Sequence, residues 1–191
     1  MNEFNITKDM IIEILKGISF RMKKIKEDVM DEYDISFSNK NLSEIIGKIM
    51  EKVASDVFTK RLGYEVKRAL ADRDKDLVFT KIDKPMEIKM TSTDTAWTGG
   101  EFSQRSPDYL LVSWGGTFDE FFCCLVQLDK SDWESNISKK FYGPSLKAKT
   151  IYNKKDKIVF FGDFEVTERG TIKIRRQKLD DTHKNLKNYS S

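Results

Sequence analysis

The apolar period of the chain changes at Gly63, and that change restricts the fold more than any other feature of the sequence. Before it, Ile11, Leu15, Ile18, Met22, Ile25 and Val29 recur at steps of 4, 3, 4, 3 and 4. That spacing lines one side of a helix over residues 9 to 31. Such a seam can pack on its own core or against another chain, and three heptads barely suffice for the second. The polar segment DISFSNKN reads as a connection. A second helix is predicted over Leu42 to Arg61, with Asn41 as N-cap and Glu44 completing a capping box. Its buried stripe is Ile45, Ile46, Ile49, Val53 and Val57, and Gly63 can close it in a left-handed conformation. Beyond Gly63 the runs YEVKRAL, DLVFTKI, MEIKMTS, DYLLVSW, FFCCLVQL, IVFFGDF and TIKIRR are short, β-branched or aromatic, and divided by turn residues. Each reads as a strand. A further helix is allowed around 130 to 140. The expectation is one α/β domain over 1–191, with a mixed central sheet flanked by helices and an N-terminal helical segment at 1–40. The core spans 42–128, and strands at 129–180 are a possible DNA-contact or dimer region.

Composition narrows the chemistry by exclusion. With 34% charged and 39% hydrophobic residues the chain suits a soluble globular protein. It has no apolar run near the ~18 residues that span a bilayer, and its N-terminus lacks the basic-then-apolar pattern of a secretory signal. A cytoplasmic protein without a membrane partner is expected. The net charge of +3 identifies no partner. Cys123 and Cys124 are adjacent in an apolar run, where strand neighbours face opposite ways, so they read as buried free thiols. The one histidine, His183, lies in a polar C-terminal stretch. Histidine-dependent triads and zinc sites therefore lack their central residue, and chemistry must run on carboxylates and lysine.

Those groups meet in the segment ADRDKDLVFTKIDKPMEIKMTST. On a strand over Met86 to Thr91, the side chains of Glu87, Lys89 and Thr91 share one face, and Glu87 and Lys89 stand roughly 7 Å apart at about 3.4 Å per residue. A hairpin turning at Asp83-Lys84-Pro85 lays the strand that opens at Asp76 beside Glu87. Two carboxylates and an ammonium then converge at one end of a sheet. Two carboxylates, with water and phosphate oxygens, make a hard oxygen site suited to Mg²⁺. The bland alternative is a strand edge with alternating charges.

Asp76 followed by Glu87-Ile88-Lys89 across a short hairpin resembles the PD-(D/E)XK nuclease superfamily. G-K-I-M-E at 47–51 and R-L-G-Y-E-V at 61–66 are similar to that family's leading helix and its Gly-aromatic end, with Glu51 at the position of the helix glutamate. The stretch W-T-G-G-E-F-S-Q-R-S-P-D-Y-L-L-V-S-W from Trp97 resembles the segment after the catalytic lysine in some type II restriction endonucleases. The match covers about residues 42 to 128. It departs at Lys75, where the family often has proline, which leaves Asp72 and Asp74 as rivals to Asp76.

The resemblance implies a restriction-endonuclease-like core and Mg²⁺-dependent hydrolysis of double-stranded DNA at a short sequence, with Mn²⁺ as a possible substitute. It implies Asp76, Glu87 and Lys89 as catalytic residues with Glu51 as helper, and Asp76, Glu87 and Ile88 as the metal-binding positions. A homodimer suits a palindromic target. The alternatives are a repair or junction-resolving nuclease of the same fold, or a non-catalytic DNA-binding module. For DNA contact the candidates are Trp97, Ser103, Gln104 and Arg105, because a Gly-rich loop approaches a backbone closely and arginine and glutamine pair with guanine and adenine edges. The basic clusters Lys139-Lys140, Lys147-Lys149, Lys154-Lys155 and Arg175-Arg176 offer phosphate contacts.

Overall fold

The computed structural model describes residues 3–68, 75–92, 96–98, 107–115, 118–138, 141–147, 151, 158–167 and 172–176. Two helices come first. Helix α1 (Lys8–Ile25) starts at Thr7, whose side chain accepts from the Met10 amide, and buries Ile11, Ile14, Leu15, Ile18 and Met22. The predicted seam is therefore spent on the chain's own core as far as Met22. A π-helical turn, Lys26–Asp31, comes next and buries nothing. Helix α2 (Asn39–Leu62) begins three residues earlier than the sequence predicts. Ser38, not Asn41, is the N-cap: its hydroxyl accepts from the Asn41 amide at 3.2 Å. Glu44 lies further into the helix, 4.0 Å from Lys40, and caps nothing. Gly63 closes the helix at φ 73, the left-handed conformation that glycine adopts without penalty.

Ten strands follow among the described residues: β1 (Val66–Arg68), β2 (Leu77–Phe79), β3 (Lys84–Thr91), β4 (Ala96–Thr98), β5 (Asp108–Ser113), β6 (Glu120–Gln127), β7 (Glu134–Ser138), β8 (Phe141–Lys147), β9 (Ile158–Val166) and β10 (Ile172–Arg176). Seven of them form one sheet in the order β1-β2-β3-β5-β6-β9-β10, and the other three a smaller sheet in the order β4-β8-β7. The large sheet is mixed: β3 and β5 run parallel, and its remaining pairs are antiparallel. The expected α/β architecture with a mixed central sheet and an N-terminal helix is thus present.

The central strands are covered on both faces, which explains their unbroken apolar runs. Leu110, Val112, Cys123 and Leu125 join the core beneath α1 and α2. Their neighbours Tyr109, Leu111, Cys124 and Val126 join a second core with Trp97, Trp133 and Leu146. The two thiols accordingly enter different cores, both free, and burial pushes both well above the ordinary range for a cysteine. A protonated, buried thiol is a poor nucleophile.

Two local expectations are corrected. Residues 130 to 138 form no α-helix: a single 3₁₀ turn at Lys130–Asp132 leads into β7, which pairs along its length with β8. Ladder pairing outweighs a weak helical tendency here. The hairpin turn is Thr80–Asp83 and not Asp83-Lys84-Pro85, since Lys84 and Pro85 already pair with Phe79 and Val78. Within that turn Asp83 takes the left-handed backbone conformation, at φ 49. Among the described residues, no helix is long and apolar enough to cross a membrane.

The approach of α1 to α2 depends on Gly17. A Cβ there would stand 3.0 Å from Val53 Cγ1 and 3.2 Å from Arg21 Nη1. Gly17→Val forces the helices apart, and overpacking of this kind costs about 1–3 kcal/mol. Urea unfolding should show that loss; a variant as stable as the parent would mean that the interface has slack.

Candidate metal and catalytic site

The site is built by the β2–β3 hairpin. Leu77 pairs with Met86, which sets Asp76, one residue before β2, across from Glu87. Asp76 does not continue the backbone ladder. Its carboxylate Oδ2 instead accepts the Ile88 amide at 2.7 Å. That bond fixes an acidic side chain at the strand end and leaves it next to Glu87.

Along β3 the side chains alternate as a strand requires. Met86 and Ile88 are buried in the helix-side core with Met90 packed against them. Glu87 faces the other way, and its register partner in the parallel ladder is Tyr109. Lys89 Nζ donates to Glu87 Oε1 at 2.9 Å. Glu87 is only 6% exposed, and its second carboxylate oxygen, Oε2, is buried without a hydrogen-bond partner among the described residues. A bare, buried carboxylate oxygen costs free energy unless another group meets it.

The charges around Glu87 oppose one another. Burial raises its pKa most; Lys89 lowers it by charge, the negative charge of Asp76 raises it, and the Lys89 hydrogen bond and Lys75 charge lower it. The net direction is upward because desolvation exceeds the help of the cations. The same proximity reaches Tyr109, whose hydroxyl is pushed far up by burial and then by Glu87.

These residues fit a divalent cation. They offer two carboxylates, no sulfur or imidazole, and one inward oxygen that lacks a partner among the described residues. No group of three or more Asp, Glu, His or Cys side chains converges among the described residues. A two-carboxylate set suits an ion that keeps several waters, as Mg²⁺ does.

The other candidates are placed differently. Glu51 is buried on α2, but both of its oxygens accept from Lys48 on the same helix, at 2.9 and 3.3 Å. The hydrogen bonds of Asp76, Glu87 and Lys89 do not include it. Trp97 is fully buried in β4, where it pairs with Leu146 and donates its indole N–H to the Val112 carbonyl at 3.2 Å. It anchors the smaller sheet and presents no face to DNA, which corrects its expected role as a contact. Ser103, Gln104, Arg105, Asp72, Asp74 and His183 lie outside the described residues. Two residues at the site carry no signal of it in the sequence: Tyr109, set beside Glu87 by a parallel register, and Lys75, whose ammonium is buried close enough to act on Glu87. No protein-family model matches the chain, and no curated protein matches it either.

The raised pKa of Glu87 has a stability consequence. The folded state holds this proton more tightly than the unfolded state, so ionising Glu87 weakens the fold as pH rises above the ordinary glutamate value of about 4.3. Glu87→Gln removes that penalty. In chelator, thermal unfolding should show the variant melting higher than the parent at pH 7, with the gap closing below about pH 4. A gap independent of pH would show that Glu87 is not strained by burial.

Proposed function

We propose that the chain is a Mg²⁺-dependent endodeoxyribonuclease of the type II restriction kind, acting on double-stranded DNA with Asp76, Glu87 and Lys89 as its catalytic group. One observation carries the reading. Asp76 and Glu87 meet across a hairpin with Lys89 bonded to Glu87, and Glu87 turns a buried oxygen toward no protein donor among the described residues. A purely structural acid-lysine pair has no need of the second acid or of the unmet oxygen.

The roles come from the chemistry of each group. Asp76 and Glu87 hold the cation, with the main chain at Ile88 completing the protein's share. Bound Mg²⁺ supplies charge neutralisation at the phosphate and lowers the barrier to water attack. Lys89 lies within hydrogen-bonding reach of Glu87 and can orient the attacking water or take its proton. Because its partners are oxygen atoms only, the site favours Mg²⁺ or Mn²⁺ over softer metals. A repair or junction-resolving nuclease would use the same group; restriction is preferred for the Ser103-Gln104-Arg105 segment, which lies after the site in sequence and carries base-pairing side chains. Two equal copies acting on a palindrome complete the reading.

The test is incubation of the purified chain with long phage DNA. Discrete fragments in Mg²⁺ and none in EDTA are expected; smeared products would indicate cleavage without base reading, and uncut DNA would overturn the proposal. Asp76→Ala, Glu87→Ala and Lys89→Ala should each slow cleavage by at least about a hundredfold while circular dichroism stays unchanged. Asp72→Ala and Asp74→Ala should retain most activity.

Base reading is tested separately at Arg105. A bidentate base contact contributes about 1–3 kcal/mol of discrimination. Arg105→Ala, measured in Ca²⁺ to prevent cutting, should weaken cognate binding by roughly one to two orders of magnitude and scrambled-duplex binding much less. Equal losses on both duplexes would make Arg105 a phosphate contact.

A further inference from the structure

Glu87 Oε2 and Trp133 Nε1 are both buried, and neither has a hydrogen-bond partner among the described residues. Tyr109 stands by both. It is the ladder partner of Glu87, and parallel partners lie about 4.8 Å apart with their side chains on one face. Its ring centre is 5.3 Å from that of Trp133, the two planes tilted by 51°. All three residues are buried, Tyr109 almost wholly.

Trp133 is held at both ends. The Asp129 amide donates to Asp132 Oδ2 at 2.8 Å, which fixes the 3₁₀ turn before it, and β7 begins at the next residue. An indole N–H can only donate, and buried ones ordinarily find an acceptor. Trp97, in the same core, does so at the Val112 carbonyl. The N–H of Trp133 stands near enough to the Tyr109 oxygen to ease part of the cost of its charge, yet it meets no acceptor at hydrogen-bonding geometry. Burial, and then the charge of Glu87, keep the Tyr109 hydroxyl protonated, so it too is a donor. Two donors thus stand beside one bare carboxylate oxygen. A single water can accept from the indole and the phenol and donate to Oε2, and three partners are usual for a buried water.

We propose that Tyr109 and Trp133 are positioning residues for Glu87: through one buried water they hold its Oε2, so that the carboxylate meets a divalent cation in a fixed orientation. Lys89 already holds Oε1 from the other side. A carboxylate oxygen has two lone pairs, so Oε2 can accept from the water and keep one pair for the cation. Partners behind a metal ligand set its orientation, and their loss weakens metal binding by about 10- to 100-fold. The part that concerns the cation rests on the catalytic reading. The water bridge does not, because it belongs to the metal-free chain.

Tyr109→Phe tests it, since it removes one oxygen and keeps the ring. In chelator, the variant should unfold at lower urea than the parent, and that shift should shrink by at least about half in a Glu87→Gln background. A tyrosine that only packs would give equal shifts in both backgrounds, because its loss would add independently. Equal shifts would overturn the proposal. In a Mn²⁺ titration, Tyr109→Phe should bind about tenfold more weakly than the parent. Trp133→Phe, which keeps a ring and loses the N–H, should weaken binding in the same direction. Unchanged Mn²⁺ affinity in both variants, each with the far-ultraviolet spectrum of the parent, would also overturn it. A parent that binds no Mn²⁺ would contradict the catalytic reading instead, and the unfolding comparison would still decide the water bridge.

Discussion

The hydrogen bond from the Ile88 amide to the Asp76 carboxylate holds the candidate site together. β2 is only three residues long, and its ladder with β3 ends at Leu77 and Met86. One position further, a side chain takes over from the backbone as acceptor. The exchange satisfies an amide that the ending ladder would otherwise leave bare, and it fixes the acid in space. Glu87 is then placed by β3, whose parallel pairing with β5 continues from Glu87 to Thr91. One acid is held at the edge of a hairpin by the Ile88 amide, and the other stands on a central strand.

That placement conflicts with stability. Glu87 is buried beside a second carboxylate, and two lysines fall short of cancelling the cost of its charge. Local strain of this sort gathers at functional sites and is offset by packing elsewhere, here by two cores on either side of the same strands.

The sequence exposes the large sheet and conceals the small one. All seven apolar runs that read as strands are the seven strands of the main sheet, because β-branched and aromatic residues report burial between layers. β4, β7 and β8 leave no such mark. β4 is three residues long, β7 is Glu-Ser-Asn-Ile-Ser, and β8 carries Gly143 and Pro144, so none shows an apolar period. Trp97 shows the limit most sharply: an aromatic beside two glycines reads as a surface contact, yet its pairing with β8 buries it. Within the site, Asp76, Glu87 and Lys89 are legible from alternation and one turn. Tyr109 is not, since a parallel partner is set by register between strands far apart in sequence.

Whether Asp76 and Glu87 form one divalent-metal site is tested most directly by a Mn²⁺ titration under electron paramagnetic resonance. One saturable ion for each chain is predicted in the parent protein. Affinity should be lower by at least about tenfold in Glu87→Gln, whose amide keeps the shape and loses the charge. No saturable binding by the parent, or equal binding by the variant, would contradict the shared site.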